Sequence, residues 1–323
     1  IIANNGAISF SKYMEMALYT PGLGYYAAGR TKLGQHGDFT TAPEISPLFG
    51  ATITQTLLPV IEKLKAENQP VNILEFGAGS GALAQSILDA LKNEGIVIDS
   101  YNILDLSADL IERQRDRLKG RPENICWLNQ LPERFTGIIL ANEVLDAMPV
   151  ELVTFIDDQW HYKDVCINQS SHDSITFAFC PGAKVPNELI PKYLQTSSLL
   201  NGYTTEIHPQ SQGWIKALGQ CLDQGIFLTL DYGFPEHEYY HSQRGQGTLI
   251  GHYRHHTIQD PFYFPGLCDL TSHVNWTLIA QTSIENGFDF SGYTSQASYL
   301  MDAGIGQLLL STANPTDSQN FMP

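Results

Sequence analysis

The 323-residue chain carries 34 Asp and Glu against 18 Lys and Arg, for a net charge of −16, and 43% of it is hydrophobic. That balance disfavours nonspecific nucleic-acid binding, which needs basic surface, and it suits a basic partner or substrate. No apolar run approaches the roughly 18 residues of a membrane span. Five scattered cysteines without a C-x-x-C pair read as reduced thiols in a cytosolic or matrix-like compartment. The start, Ile-Ile-Ala-Asn-Asn, has no initiator Met or signal pattern, so a preceding piece is expected to be missing.

Ser9 caps a first helix with Phe10, Met14, Ala17 and Leu18 on one face, and Thr20-Pro21-Gly22 ends it. The segment Gly37-Asp38-Phe39-Thr40-Thr41-Ala42-Pro43-Glu44-Ile45-Ser46 is too polar and irregular for core structure, which marks it as a functional loop. Ser46-Pro47 then starts a helix carrying Phe49, Ile53, Leu57 and Ile61.

At Asn72–Gly81 an apolar run ends in Glu75, three glycines follow at alternate positions (Gly77, Gly79, Gly81), and Leu83, Ile87, Leu88 and Leu91 take up helical spacing. Strand, glycine turn and helix in that order open a nucleotide-binding α/β unit. The same glycines, with Ala78 and Ala82, satisfy the relaxed dinucleotide pattern. Glu75 argues against a pyrophosphate, which a carboxylate repels, and for the cationic amino-acid end of S-adenosylmethionine. Tyr101–Leu104 is a second strand ending in Asp105, a carboxylate placed to accept ribose hydroxyls, with Leu106 and Ser107 beside it. Ser107 also suits the cap of the helix Ala108–Lys119, whose Arg113, Arg115, Arg117 and Lys119 read as a solvated face.

Ile125–Leu128 and Ile138–Ala141 are further strands. The second runs into Asn142-Glu143-Val144-Leu145-Asp146, two acids three apart where open α/β sheets bind ligands. Leu152–Ile156, Trp160–Ile167 and Ile175–Phe179 have the pattern of an antiparallel insertion. Trp214–Leu222 is a helix and Gly225–Leu230 a strand ending in Asp231-Tyr232-Gly233. A loop-rich stretch follows. Its His252-Tyr253-Arg254-His255-His256 lacks the partner spacing of a metal site, and no metal is expected.

Taken together, several of these stretches resemble the MidA-type methyltransferases, a family that includes the mitochondrial complex I assembly factor that methylates arginine. The matching pieces are Ile8–Tyr19, Pro21–Tyr26, Gly37–Ser46, Glu75–Gly81, Asn142–Val150, Asp231–Gly233 and Asp269-Leu270-Thr271-Ser272-His273-Val274-Asn275. The resemblance implies a seven-strand Rossmann-like sheet with S-adenosylmethionine as donor and S-adenosylhomocysteine as product. It implies a donor site of Glu75, Gly77, Ala78, Gly79, Gly81, Asp105, Leu106, Ser107, Asn142 and Thr41. By analogy it implies a protein arginine as acceptor, in a respiratory complex subunit or another protein, in the bacterial cytoplasm or the mitochondrial matrix. Asp105 stands where many relatives are expected to have Glu, and Asn275 where Asp is expected.

Methyl transfer demands positioning above all. A guanidinium is a poor nucleophile, and paired carboxylates can orient it. Glu143 and Asp146 are the candidates, with His273 to take up the proton and Asp38 on the acceptor wall. The expected organisation is an N-terminal extension over 1–66 and a methyltransferase domain over 67–323, interrupted by a β-rich insertion at 151–205. Two other readings use the same glycine turn: an NAD(P)-dependent oxidoreductase, and a non-catalytic assembly factor. The pattern fixes no oligomeric state.

Overall fold

The computed structural model describes residues 1–4, 6–27, 41–169, 175–196 and 199–312. Asp38, with the Gly37–Thr40 part of the polar loop, lies outside the described residues. Two compact units form: Ile1–Ala28 with Glu143–Gly219 and Asp231–Asp289, and Gly29–Asn142 with Gln220–Leu230 and Phe290–Pro323. In chain order the elements begin with β1 (Ala7–Ile8), α1 (Phe10–Tyr19), α2 (Ala42–Ile45), α3 (Leu48–Ala66), β2 (Asn72–Phe76), α4 (Ala82–Asn93) and β3 (Ser100–Leu104). Next are α5 (Ala108–Arg117), β4 (Ile125–Leu128), β5 (Phe135–Asn142), β6 (Glu151–Ile156), β7 (Gln159–Gln169), β8 (Ile175–Lys184) and α6 (Lys192–Thr196). Then come β9 (Thr204–Ile207), α7 (Pro209–Cys221), β10 (Leu222–Leu230), β11 (Gly233–Phe234), α8 (Glu236–Tyr239), β12 (Ile250–Tyr253) and β13 (His256–Ile258). The chain closes with β14 (Asp269–Thr271), β15 (Val274–Asn275), α9 (Trp276–Glu285), α10 (Gln296–Asp302) and α11 (Ile305–Thr312).

The glycine-turn unit is built on a parallel sheet in the order β10-β5-β2-β3-β4. Its strands are apolar because helices cover parallel sheets on both faces. Ile73, Tyr101 and Ile138 are buried with Ile53, Leu57 and Ile61 of α3 and Leu83, Ile87 and Leu91 of α4. The sheet thus has five strands among the described residues, where the resemblance implies seven. The short strands β11 and β15, just after the motifs at 231 and 269, pair in parallel with each other instead.

In the other unit β6 lies between β7 and β9, β1 pairs with β7, and β8 flanks β7, all antiparallel. The β6–β7 turn uses Asp157 and Asp158 at φ 50° and 60°, a left-handed pair suited to a two-residue hairpin. Val153, Trp160, Tyr203, Ile207, Tyr239 and Tyr240 form its core. The stretch around His252, read above as loop, is instead the β12–β13 hairpin. Arg254 and His255 turn it at φ 49° and 62°, without the Asn or Gly that advertises such a turn.

Candidate functional site

The glycine turn leaves β2 with Gly77, Gly79 and Gly81 at φ 57°, 54° and 85°, a region where a Cβ is costly. Gly81 serves as the N-cap of α4, where a Cβ would meet Gln114 Cα at 3.4 Å in ordinary contact, so it is the positive φ that calls for glycine. The Gly77 amide donates to the Leu104 carbonyl at 3.0 Å, which ties the turn to the end of β3. Ala78 is buried in the core beneath it. Just before the turn, Glu75 is only 2% exposed and accepts the Tyr101 hydroxyl at 2.7 Å. Burial pushes its pKa up to about 7, the Tyr101 bond opposes that, and Asp105 adds to it. A cationic ligand group beside Glu75 would hold it ionised.

Asp105 follows β3 directly. Its Oδ1 accepts the Ser107 amide at 2.9 Å and its Oδ2 accepts Gln114 Nε2 at 2.8 Å. Ser107 caps α5 by accepting the Leu110 amide, while Leu106 is 73% exposed. The helix read above as a solvated basic face is well engaged. Arg113 pairs with Asp109 at 2.9 Å, Arg115 lies 5.2 Å over the Trp127 ring, and Arg117 is 3.6 Å from Glu44. Gln114, wholly buried among them, was not foreseen. Nothing but its place in the helical period could have flagged it.

Thr41 is the N-cap residue of α2 and makes no side-chain cap bond. On that helix Glu44 accepts the Ser80 hydroxyl, so the end of the polar loop is fastened to the glycine turn. Asn142 closes β5, level with Leu230 of β10 and one residue past the Phe76–Ala141 pair.

The candidate acceptor residues belong to the other unit. Glu143 stands at φ 52°, sparsely used by non-glycine residues and common at functional sites. The turn after it is held by Asp231, whose Oδ2 accepts the amides of Val144, Leu145 and Asp146 at 3.1, 2.9 and 3.2 Å. Asp146 is 3% exposed; burial raises its pKa to about 6, against the opposing effect of the Tyr232 hydroxyl. Burial, and then Asp146 itself, push the Asp231 carboxyl up too, so the two buried acids compete to hold a proton.

The Ser272 amide donates to the Asp146 carbonyl at 2.9 Å, which draws the Asp269–Asn275 motif to this turn. The His273 ring packs against Phe234 at 5.0 Å and Tyr232 at 6.2 Å. Burial and then Arg244 lower its pKa, so the imidazole is neutral at physiological pH and can accept a proton. Tyr26 donates to Asp269 at 3.1 Å and stacks on Tyr19 at 5.6 Å. Glu143, Asp146 and His273 are therefore gathered around Asp231 and Tyr232. Those two were quoted above as a motif but given no role, although an Asp ending an apolar strand was the available signal.

A profile of the family described as "Putative S-adenosyl-L-methionine-dependent methyltransferase" matches residues 52–294. A crystal structure of a protein from Burkholderia thailandensis bound to S-adenosyl-homocysteine is similar with TM-score 0.90 and 42% identity, covering 100% of this chain and 83% of that one. A native crystal structure from the same organism gives TM-score 0.87 and 41% identity, covering 100% and 82%. The mitochondrial protein arginine methyltransferase NDUFAF7 of Xenopus laevis is 27% identical over 98% of this chain and 76% of its own length. Its human counterpart is 27% identical over 94% and 71%. The matched span covers well over half of the chain and takes in the glycine turn, Asp105 and the acid turn. The chain belongs to the MidA-type family of S-adenosyl-L-methionine-dependent methyltransferases.

Proposed function

We propose that the chain methylates an ω-nitrogen of a protein arginine. The observation that carries the acceptor is the acid turn, where Asp231 holds the three amides that follow Glu143, Asp146 among them, and Tyr232 lies between Asp146 and a neutral His273. The printed names of the mitochondrial relatives, and a net charge of −16 that attracts basic peptides, support it.

The bound donor supplies a methyl group on a positively charged sulfur. Around it, Glu75 and the turn through Gly77, Ala78, Gly79 and Gly81 receive the amino-acid end. Asp105 accepts the ribose hydroxyls, with Leu106 and Ser107 beside the nucleoside and Thr41 and Asn142 completing the set. The left-handed glycines and the oriented Asp105 suit that ligand. On the acceptor side, Glu143 and Asp146 align the guanidinium and localise its charge. The nitrogen attacks the methyl carbon, the carbon–sulfur pair stays on sulfur, and His273 takes the proton released. Asp38 is assigned to the acceptor wall. The Glu44–Ser80 bond supports a loop that folds over the donor.

The partner is a protein with an exposed arginine. A respiratory complex subunit in the mitochondrial matrix follows by analogy with the mitochondrial relatives; a bacterial source would place the reaction in the cytoplasm. No helix among the described residues is long and apolar enough to cross a membrane. The stretch 151–205 is proposed as an insertion in the methyltransferase domain. Titration calorimetry with S-adenosylhomocysteine and with NAD separates this reading from an oxidoreductase: tight NAD binding without S-adenosylhomocysteine binding would overturn it. Asp38→Ala that keeps full turnover on a basic peptide would remove Asp38 from the acceptor wall.

A further inference from the structure

Gln114 has no exposed surface, although it lies on a helix that presents Arg113, Arg115 and Arg117. Both of its N–H donors and its carbonyl oxygen are engaged. One Nε2 proton goes to the Gly79 carbonyl at 3.0 Å and the other to Asp105 Oδ2 at 2.8 Å, while Oε1 accepts the Trp127 indole N–H at 3.0 Å. The amide has one workable orientation. Turning it over would set its oxygen against a carboxylate and a carbonyl, and its N–H against the indole N–H. The same amide thus bridges the Gly79 carbonyl of the glycine turn and the acid at the tip of the neighbouring strand.

We propose that Gln114 is a positioning residue for the methyl donor: it fixes the Asp105 carboxylate relative to Gly79, so that the acid meets the ribose hydroxyls already oriented. The proposal rests on the assignment of Asp105 to the ribose. Without Gln114, Asp105 Oδ2 loses this bond, the Ser107 amide remains on Oδ1, and the carboxylate plane is held less firmly. The ribose must then order it on binding, at a cost in affinity. Gln114 touches no reacting atom, and the part of its effect that runs through Asp105 is confined to ligands that carry the ribose diol.

The test is titration calorimetry of the full chain with two probes, S-adenosylhomocysteine and its 2′,3′-dideoxyribose analogue. Four proteins are compared: wild type, Asp105→Asn, Gln114→Met and the Asp105→Asn/Gln114→Met double variant. Gln114→Met should weaken S-adenosylhomocysteine roughly ten- to hundredfold, the range for a hydrogen bond to a charged group. It should weaken the dideoxy analogue clearly less, by only the part that runs through the Gly79 carbonyl. The double variant should bind S-adenosylhomocysteine no more weakly than the weaker single variant. Gln114→Glu, which keeps the shape but turns a carboxylate toward Asp105, covers the case in which the methionine variant does not fold. It should show the same diol-dependent loss. An equal loss for both probes, or additive losses in the double variant, would make Gln114 a structural residue only and overturn the proposal. If Asp105→Asn left S-adenosylhomocysteine binding unchanged, the ribose assignment itself would fall, and the inference with it.

Discussion

Replacing Asp231 with alanine strips one acceptor oxygen from three backbone donors at once. Leu145 and Asp146 are each 3% exposed, so water cannot readily replace the carboxylate at their amides. An unsatisfied buried donor costs about 1–3 kcal/mol, giving roughly 2–6 kcal/mol for the two. The half-buried Val144 amide adds little, because solvent reaches it. Part of the loss is returned, since the variant also removes a buried acid that repels Asp146. The expected net loss is about 2–4 kcal/mol in urea unfolding. Asp231→Asn, which keeps a carbonyl oxygen for the same amides, should lose less than about 1.5 kcal/mol. Hydrogen exchange should locate the damage: the amides of residues 144–146 lose protection first in the alanine variant. Equal stabilities for the two variants, or unchanged protection at 144–146, would show that Asp231 does not hold the turn that presents Glu143 and Asp146.

Gly79→Val forces a β-branched residue to φ 54° and should abolish S-adenosylhomocysteine binding; a folded variant with wild-type affinity would refute the glycine-turn assignment. Asp146 carries a folded pKa raised to about 6 against about 3.9 in an unfolded chain. Its contribution to stability is therefore present below about pH 4 and lost as pH rises through about 6. Asp146→Asn should gain stability on the wild type between pH 5 and pH 8, and a stability difference that stays flat over that range in thermal melts would contradict the assignment. Glu75, with its pKa raised to about 7, should shed a proton when a cationic ligand group binds beside it. Titrations of S-adenosylhomocysteine in buffers of different ionisation heat should detect that release near pH 7, and proton uptake would reverse the expected placement.

The geometry of the proposed donor side was legible because it is local in the chain. A left-handed glycine turn demands glycines, and a strand-tip acid demands Asp or Glu at the end of an apolar run. The left-handed Gly77, Gly79 and Gly81, the buried Glu75 at the strand end, Asp105 past the next strand and the Ser107 cap all stand where the chain pattern put them; their roles toward the donor remain the proposal. What escaped were residues that act through distant partners. Gln114 joins two strands and a turn from inside a helix that looks solvated, and Asp231 caps a turn 85 to 87 residues earlier in the chain. No spacing rule reveals either. Among the described residues the parallel sheet has five strands against the seven implied, and β11 and β15, two residues each, pair with each other. The His252 hairpin was missed because its left-handed turn uses Arg254 and His255, residue types that give no turn signal.

The central claim is tested most directly by the fate of the methyl group. The protein would be incubated with tritiated S-adenosylmethionine and a cell extract depleted of small molecules, and the labelled material hydrolysed to amino acids and separated. The account predicts label in ω-N-methylated arginine, lost in Gly79→Val and reduced in Glu143→Gln. Label found only in methyl-lysine, in nucleic acid or in a small molecule, or methylarginine formed equally well by Gly79→Val, would contradict it.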